Sequence, residues 1–224
     1  MIVERSMHPG WLSNAYLVAD APGGTAVFVD TGAPLEPLVA AVEAHGLTVT
    51  HVLRTHAHPD HVAGEGEVVR RYDAAVVTGA LQTGGLSVEA IPSPGHSDDG
   101  VSFLVNGELL FSGDTLFRDA VGGGPADEVR SSVLRLTALP TETRILPGHT
   151  DETTIGRERE HNPFVLYWEG RVASLDEPVQ FGGAPATLLV WSPDYDGKGK
   201  ALVRSADGAE RIVGGSRVER GGGT

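Results

Sequence analysis

The chain of 224 residues has no cysteine, so neither a disulfide framework nor a thiolate metal ligand enters the reading. Lysine is almost missing: the only two are Lys198 and Lys200. Residues 1 to 164 carry 22 acidic against 10 basic side chains and residues 165 to 224 carry 8 against 7, which places nearly all of the net charge of −13 in the first part. A phosphate backbone is attracted by clustered Lys and Arg and repelled by such a surface. The expected partner is therefore a small-molecule substrate, with no nucleic acid. No segment is apolar over the length that spans a bilayer, and Met1 to Gly10 has no basic stretch leading into an apolar run. These absences predict no membrane partner and a cytoplasmic address.

What the chain does have is ligand chemistry. His56-Ala57-His58-Pro59-Asp60-His61, His96, Asp114 and His149 supply five imidazoles and two carboxylates from four separated pieces. The first piece sits where a short apolar strand, Val49 to Thr55, gives way to a helical pattern from Val62 to about Tyr72. In an extended segment alternate residues face the same way, so His56 and His58 can address one ion while Asp60 and His61 turn toward a second. Imidazole and carboxylate without thiolate suit Zn, Fe or Mn at a catalytic site that keeps a coordination position open for water.

The rest of the pattern alternates strands and helices. Ala15 to Asp20 and Thr25 to Asp30 flank Pro22-Gly23-Gly24 as a hairpin, and Leu35 to His45 has helical spacing stopped by Gly46. Ala74 to Val77 and Ser87 to Ile91 read as strands, the second leading through Pro92-Ser93-Pro94-Gly95 to His96. Asn106-Gly107 joins Val101 to Val105 with Glu108 to Phe111 in a tight hairpin that delivers Asp114. A helix over Val129 to Leu139 precedes a strand, Thr143 to Leu146, that delivers His149. Each ligand candidate thus falls at a strand end or in a loop, on rigid supports yet open to substrate.

This constellation resembles the metallo-β-lactamase superfamily, whose motif is His-x-His-x-Asp-His followed by a distant His, a bridging Asp and a final His. The resemblance covers roughly residues 12 to 165. It implies an α/β fold, an αββα sandwich, holding two divalent metal ions, zinc first, with iron or manganese as alternatives. His56, His58 and His96 would hold one ion and Asp60, His61 and His149 the other, with Asp114 bridging. Asp60 would also orient the activated water and relay its proton. The family's Asp at a strand end corresponds to Asp30, which would receive the second N–H of a metal-bound imidazole. Thr153-Thr154-Ile155-Gly156-Arg157-Glu158 and Asn162-Pro163-Phe164 look like the closing stretch of short glyoxalase II-like (hydroxyacylglutathione hydrolase-like) proteins. The implied activity is binuclear hydrolysis of an acyl thioester of a small thiol. A mononuclear iron persulfide dioxygenase is the first alternative, and a non-catalytic metal-binding interaction protein the second.

Arg118, four residues past Asp114, could bind a substrate carboxylate through its planar fork; pairing with Asp119 or Asp127 is the plain alternative. His8, His45, His51 and His161 lack partners at ligand spacing and are assigned to structural or surface roles. Residues 1–165 are expected to form the metal domain. Residues 166–224, without His and with short β-like runs at Ala186 to Trp191, Lys200 to Arg204 and Glu210 to Val213, are expected to form a small β-rich C-terminal module apart from the metal chemistry. That module would cover a sheet edge or part of the site's mouth, or support a homo-oligomer. Pro193 to Gly199 reads as a turn, not a calcium loop, and Gly221 to Thr224 as a frayed end.

Overall fold

The computed structural model describes residues 1–221; residues 222–224, most of the stretch expected to fray, lie outside the described residues. The first sheet runs in spatial order β1 (Ile2–Met7), β2 (Asn14–Ala19), β3 (Thr25–Val29), β4 (Thr48–Leu53) and β5 (Ala75–Val77). The first two pairings are antiparallel and the last two parallel. Between β3 and β4 lies α1 (Glu36–His45), closed by Gly46 at φ 63°, whose N–H returns to Glu43 O and Val42 O. The second sheet contains β6 (Leu81–Thr83), β7 (Leu86–Pro92), β8 (Val101–Val105), β9 (Leu109–Gly113), β11 (Arg144–Pro147) and β12 (Thr153–Thr154), in the order β12-β11-β9-β8-β7-β6.

Strand alternation builds the layers. Val18, Val27, Val29 and Leu53 of the first sheet meet Val88, Phe103, Val105, Leu109 and Phe111 of the second in one buried cluster. The intervening residues Leu17, Ala19, Ala26 and Phe28 turn to the opposite face, where Leu38 and Val42 of α1 and Val68 cover them. Both faces of these strands are covered, which is why they read as continuous apolar runs. On the outer face of the second sheet Leu104, Leu110 and Ile145 pack against α4 (Ala126–Leu136), α5 (Ile155–His161) and α6 (Pro163–Trp168). Helix, sheet, sheet, helix is the αββα order. The closing stretch of residues 153–164 is a pair of capped helices: Thr154 accepts from Arg157 N, and Asn162 accepts from Phe164 N and Val165 N.

A third sheet follows, in the order β10 (Gly124–Pro125), β16 (Glu210–Gly214), β15 (Lys200–Ser205), β14 (Ala184–Ser192), β13 (Glu177–Phe181) and β17 (Val218–Arg220). Its edge strand β10 comes from the part of the chain that carries the ligand candidates, and Leu189, Val190, Leu202 and Ile212 share one cluster with α4, α6 and the second sheet. The boundary expected at residue 165 falls inside α6. Among the described residues no helix is long and apolar enough to cross a membrane.

The helix expected from Val62 to Tyr72 is in two parts, α2 (Pro59–Val62) and α3 (Glu65–Tyr72). Gly64 makes the break: its N–H donates to Thr31 O at 2.9 Å, and a Cβ there would lie 2.6 Å from that same oxygen. The break leaves Asp60 and His61 in a helical turn of their own.

Candidate metal centre

Strand direction brings the ligand groups to one edge of the sandwich. β9 and β11 are parallel, with Pro147 beside Gly113, and Gly148 N–H donates to Gly113 O at 2.8 Å. Asp114 and His149, the residues that follow, therefore emerge together. His96 follows β7, which runs the same way because β7 and β9 are each antiparallel to β8. Across the sandwich His56 follows β4 and Asp30 follows the neighbouring parallel strand β3.

The structure brings all seven ligand candidates into one cluster. Potential ligand atoms lie within 4.8 Å of one another in three groups: His56, His58 and His96; Asp60, His61 and His149; and His56, His61 and Asp114. Asp114 spans them, with Oδ2 at 3.4 Å from His96 Nε2 and 3.3 Å from His149 Nε2, and Oδ1 at 3.3 Å from His61 Nε2. Asp60 Oδ2 is 3.4 Å from His149 Nε2 and 3.6 Å from His61 Nε2.

Outer hydrogen bonds fix which ring nitrogens face inward. His61 Nδ1 donates to Asp30 Oδ2 at 2.8 Å, His149 Nδ1 to Leu12 O at 2.9 Å and His96 Nδ1 to Gly123 O at 3.2 Å. The Thr55 hydroxyl gives its only proton to Asp30 Oδ2 at 2.7 Å, so toward His56 Nδ1, 3.1 Å away, it can only accept. In their neutral form four imidazoles thus turn a bare Nε2 lone pair into the cluster. His58 meets them with Nδ1, 3.0 Å from both His56 Nε2 and His96 Nε2.

Converging lone pairs repel unless a cation lies between them, and two atoms show the same need. His61 Nε2 and Asp114 Oδ1 are buried and 3.3 Å apart, yet neither has a hydrogen-bond partner. They lie close together without hydrogen-bond geometry between them. A buried carboxylate and an imidazole left unmatched each cost about 1 to 3 kcal/mol, and a divalent ion is the partner their chemistry fits. The protein's own charges show the same imbalance. Burial would lower the pKa of His61, but the Asp114 and Asp30 carboxylates drive it up to about 11; burial would lower that of His149 too, but Asp114 and Asp60 raise it to about 9. Burial and the His61 charge push His56 down to about 4. Asp114, against its burial, is held well below the usual carboxylate range by His61 and His149. The carboxylates draw positive charge into the cluster.

Of the other candidates, Asp30 accepts from His61 Nδ1, Thr55 Oγ1 and Thr55 N. Arg118 is exposed and, among the described residues, has no ion pair; Asp119 is taken by Arg157 in a bidentate pair at 2.8 and 2.9 Å. His51 stays outside the cluster, bonded to Thr50 Oγ1 at 2.9 Å.

The expectation that the C-terminal module stands apart from the metal chemistry is corrected. Tyr195, in the turn between β14 and β15, stacks on His149 with ring centroids 4.2 Å apart and planes at 7°. Nothing in a turn of Asp, Tyr and Gly signals such a contact, because it depends on how two distant sheets pack. Thr55 and the Leu12 carbonyl were also missed. Only Thr55, next to His56 in sequence, carried a local hint.

A family model described as "Metallo-beta-lactamase superfamily" matches residues 8–84. An uncharacterized protein of Mycobacterium leprae is 33% identical over 202 residues, covering 68% of this chain and 93% of its own length. A hydroxyacylglutathione hydrolase of Xanthomonas axonopodis pv. citri is 34% identical over 161 residues, which are 63% of this chain and 62% of that protein. Among solved structures, ETHE1 from Myxococcus xanthus superposes with a TM-score of 0.66 at 30% identity, covering 77% of this chain and 88% of its own.

Proposed function

The chain belongs to the metallo-beta-lactamase superfamily, and we propose that within it the chain is a binuclear hydrolase of acyl thioesters of a small thiol. One observation carries the binuclear part: Asp114 presents one oxygen to His61 and the other to His96 and His149, so a single carboxylate faces both ligand groups. His56, His58 and His96 would hold one ion and Asp60, His61 and His149 the second, with zinc as the first choice for both. When bound, such ions supply hydroxide at neutral pH by lowering the pKa of water from about 15.7 to about 7, and they polarise a carbonyl.

The chain's own groups do the rest. The outer partners Asp30, Thr55, Leu12 and Gly123 hold four imidazoles in the tautomer that binds. The half-buried Asp60 carboxylate lies with Oδ2 3.4 Å from His149 Nε2 and 3.6 Å from His61 Nε2. Its Oδ2 at the cluster's edge can therefore orient the attacking water and take up its proton. A thiolate leaves readily, so no strong general acid is needed. The likeness to a hydroxyacylglutathione hydrolase supports the thioester reading.

A mononuclear iron persulfide dioxygenase is the second reading, favoured by the likeness to ETHE1. Metal analysis combined with a thioester panel and an oxygen electrode separates the two. The expected outcome is close to two metal equivalents and hydrolysis of a lactoyl thioester with no oxygen consumed. Iron-dependent oxygen uptake with a glutathione persulfide, and no thioester hydrolysis, would overturn the proposal.

A further inference from the structure

A cleft of about 520 Å³ lies between the part of the chain that carries the ligand candidates and the C-terminal sheet, lined among others by Leu12, Arg118, Thr150, Pro193 and Tyr195. Three of these residues surround His149: Leu12 O accepts its Nδ1–H, Thr150 follows it in the chain, and the Tyr195 ring lies flat on it. The cleft is therefore separated from His149 by a single layer of residues.

Charge accounting within it is uneven. Its three carboxylates are each matched: Asp119 by Arg157 at 2.8 Å, Asp151 by Arg5 at 3.2 Å and Asp194 by Lys200 at 2.9 Å. Arg118 lines the same space with no ion pair among the described residues. The remaining lining is Met7, Leu12, Thr150, Pro193 and Tyr195, apolar side chains apart from two hydroxyls. The Tyr195 wall is anchored, since Asp194 accepts from Tyr195 N at 2.9 Å and its side chain is nearly fully buried against Lys200. The Lys200 ammonium in turn sits 5.8 Å from the Tyr195 ring centroid and 5.9 Å from that of Phe117.

We propose that this cleft binds the distal arm of the substrate, an apolar chain ending in one carboxylate that Arg118 receives, and that Tyr195, contributed by the C-terminal sheet, is a specificity-determining residue forming the wall between that arm and His149. The inference rests on the thioesterase reading for the identity of the reacting end. It narrows the substrate to a thioester carrying a single negative charge away from the scissile bond.

The test measures binding, not turnover. Zinc-loaded protein is titrated calorimetrically with 4-phenylbutyrate and with its uncharged amide. The parent protein is expected to bind the carboxylate about fivefold more tightly than the amide, the size of one half-exposed ion pair. Arg118→Gln should bring the two constants together, and Tyr195→Phe should preserve the preference. Tyr195→Ala, or Tyr195→Leu if the alanine variant does not fold, should weaken both probes by about fivefold through loss of the aromatic wall. A preference undiminished in Arg118→Gln would put the carboxylate elsewhere, the metal position included, and overturn the assignment. So would undiminished binding of both probes once the Tyr195 ring is removed. Neither probe has a thioester bond, so the two readings fail separately. The binding pattern without thioester hydrolysis leaves the cleft and removes the thioesterase; thioester hydrolysis without the pattern does the reverse.

Discussion

Replacing Asp30 with Asn keeps size and shape but removes one acceptor, and the hydrogen-bond pattern sets the consequence. In the native chain Oδ1 accepts from Thr55 N at 2.9 Å, while Oδ2 accepts from Thr55 Oγ1 at 2.7 Å and His61 Nδ1 at 2.8 Å. An amide has one oxygen and one NH2. If the NH2 takes the Oδ2 position, His61 Nδ1 must become an acceptor and Thr55 must turn its proton toward His56. Both imidazoles then carry a proton on Nε2, the atom that faces the cluster, and neither can bind a metal. If the NH2 instead takes the Oδ1 position, both tautomers survive but the buried Thr55 N–H is left unmatched, at about 1 to 3 kcal/mol. Metal binding selects the second arrangement and bears its cost, so affinity should fall by about 5- to 150-fold, in line with the 10- to 100-fold typical of such outer partners. Competition titration against a chromophoric chelator measures it for each equivalent. Metal-free Asp30→Asn should melt below the parent, because there the buried His61 ring, drawn to its charged form by Asp114 and Asp30, loses the carboxylate paired with its Nδ1 at 2.8 Å. Two equivalents bound within twofold of the parent's affinity would refute the tautomer argument.

Asp114→Ala should lose most bound metal while His51→Ala keeps it, since Asp114 faces both ligand groups and His51 faces neither; elemental analysis reads the difference, and unchanged metal in Asp114→Ala would remove its bridging role. Gly148→Ala places a Cβ 2.3 Å from Asp114 Oδ1 and 2.7 Å from His61 Cε1, an overpacking worth about 1 to 3 kcal/mol, and thermal unfolding with metal analysis should show lower stability and weaker binding together. Truncation after Val165 removes Leu189, Val190, Leu202 and Ile212 from the cluster they share with α4. Burying an apolar side chain of this size is worth about 1.5 to 3 kcal/mol, so the truncated chain should be insoluble or strongly destabilised in a solubility and melting assay; full stability with the parent's substrate profile would show the third sheet to be dispensable.

The sequence by itself determined the inventory. His56, His58, Asp60 and His61 are close in the chain and of ligand type, and the continuous apolar runs of β2, β3, β8 and β9 reflect burial of both faces, so motif and layers could be read without coordinates. Elements bounded by local chemistry, such as α1 with its Gly46 stop and the Asn106-Gly107 hairpin, were legible for the same reason. Tertiary structure alone decided the rest. The break at Gly64 exists because Thr31 comes close in space, and β10 joins the third sheet because residues far apart pair their backbones. The carbonyl of Leu12 and the ring of Tyr195 act on His149 across long stretches of chain. Such groups carry no pattern of their own: a carbonyl is present at every residue, and a tyrosine in a turn is ordinary. What gives them a role is the packing of distant elements, which becomes definite only when the whole chain has folded.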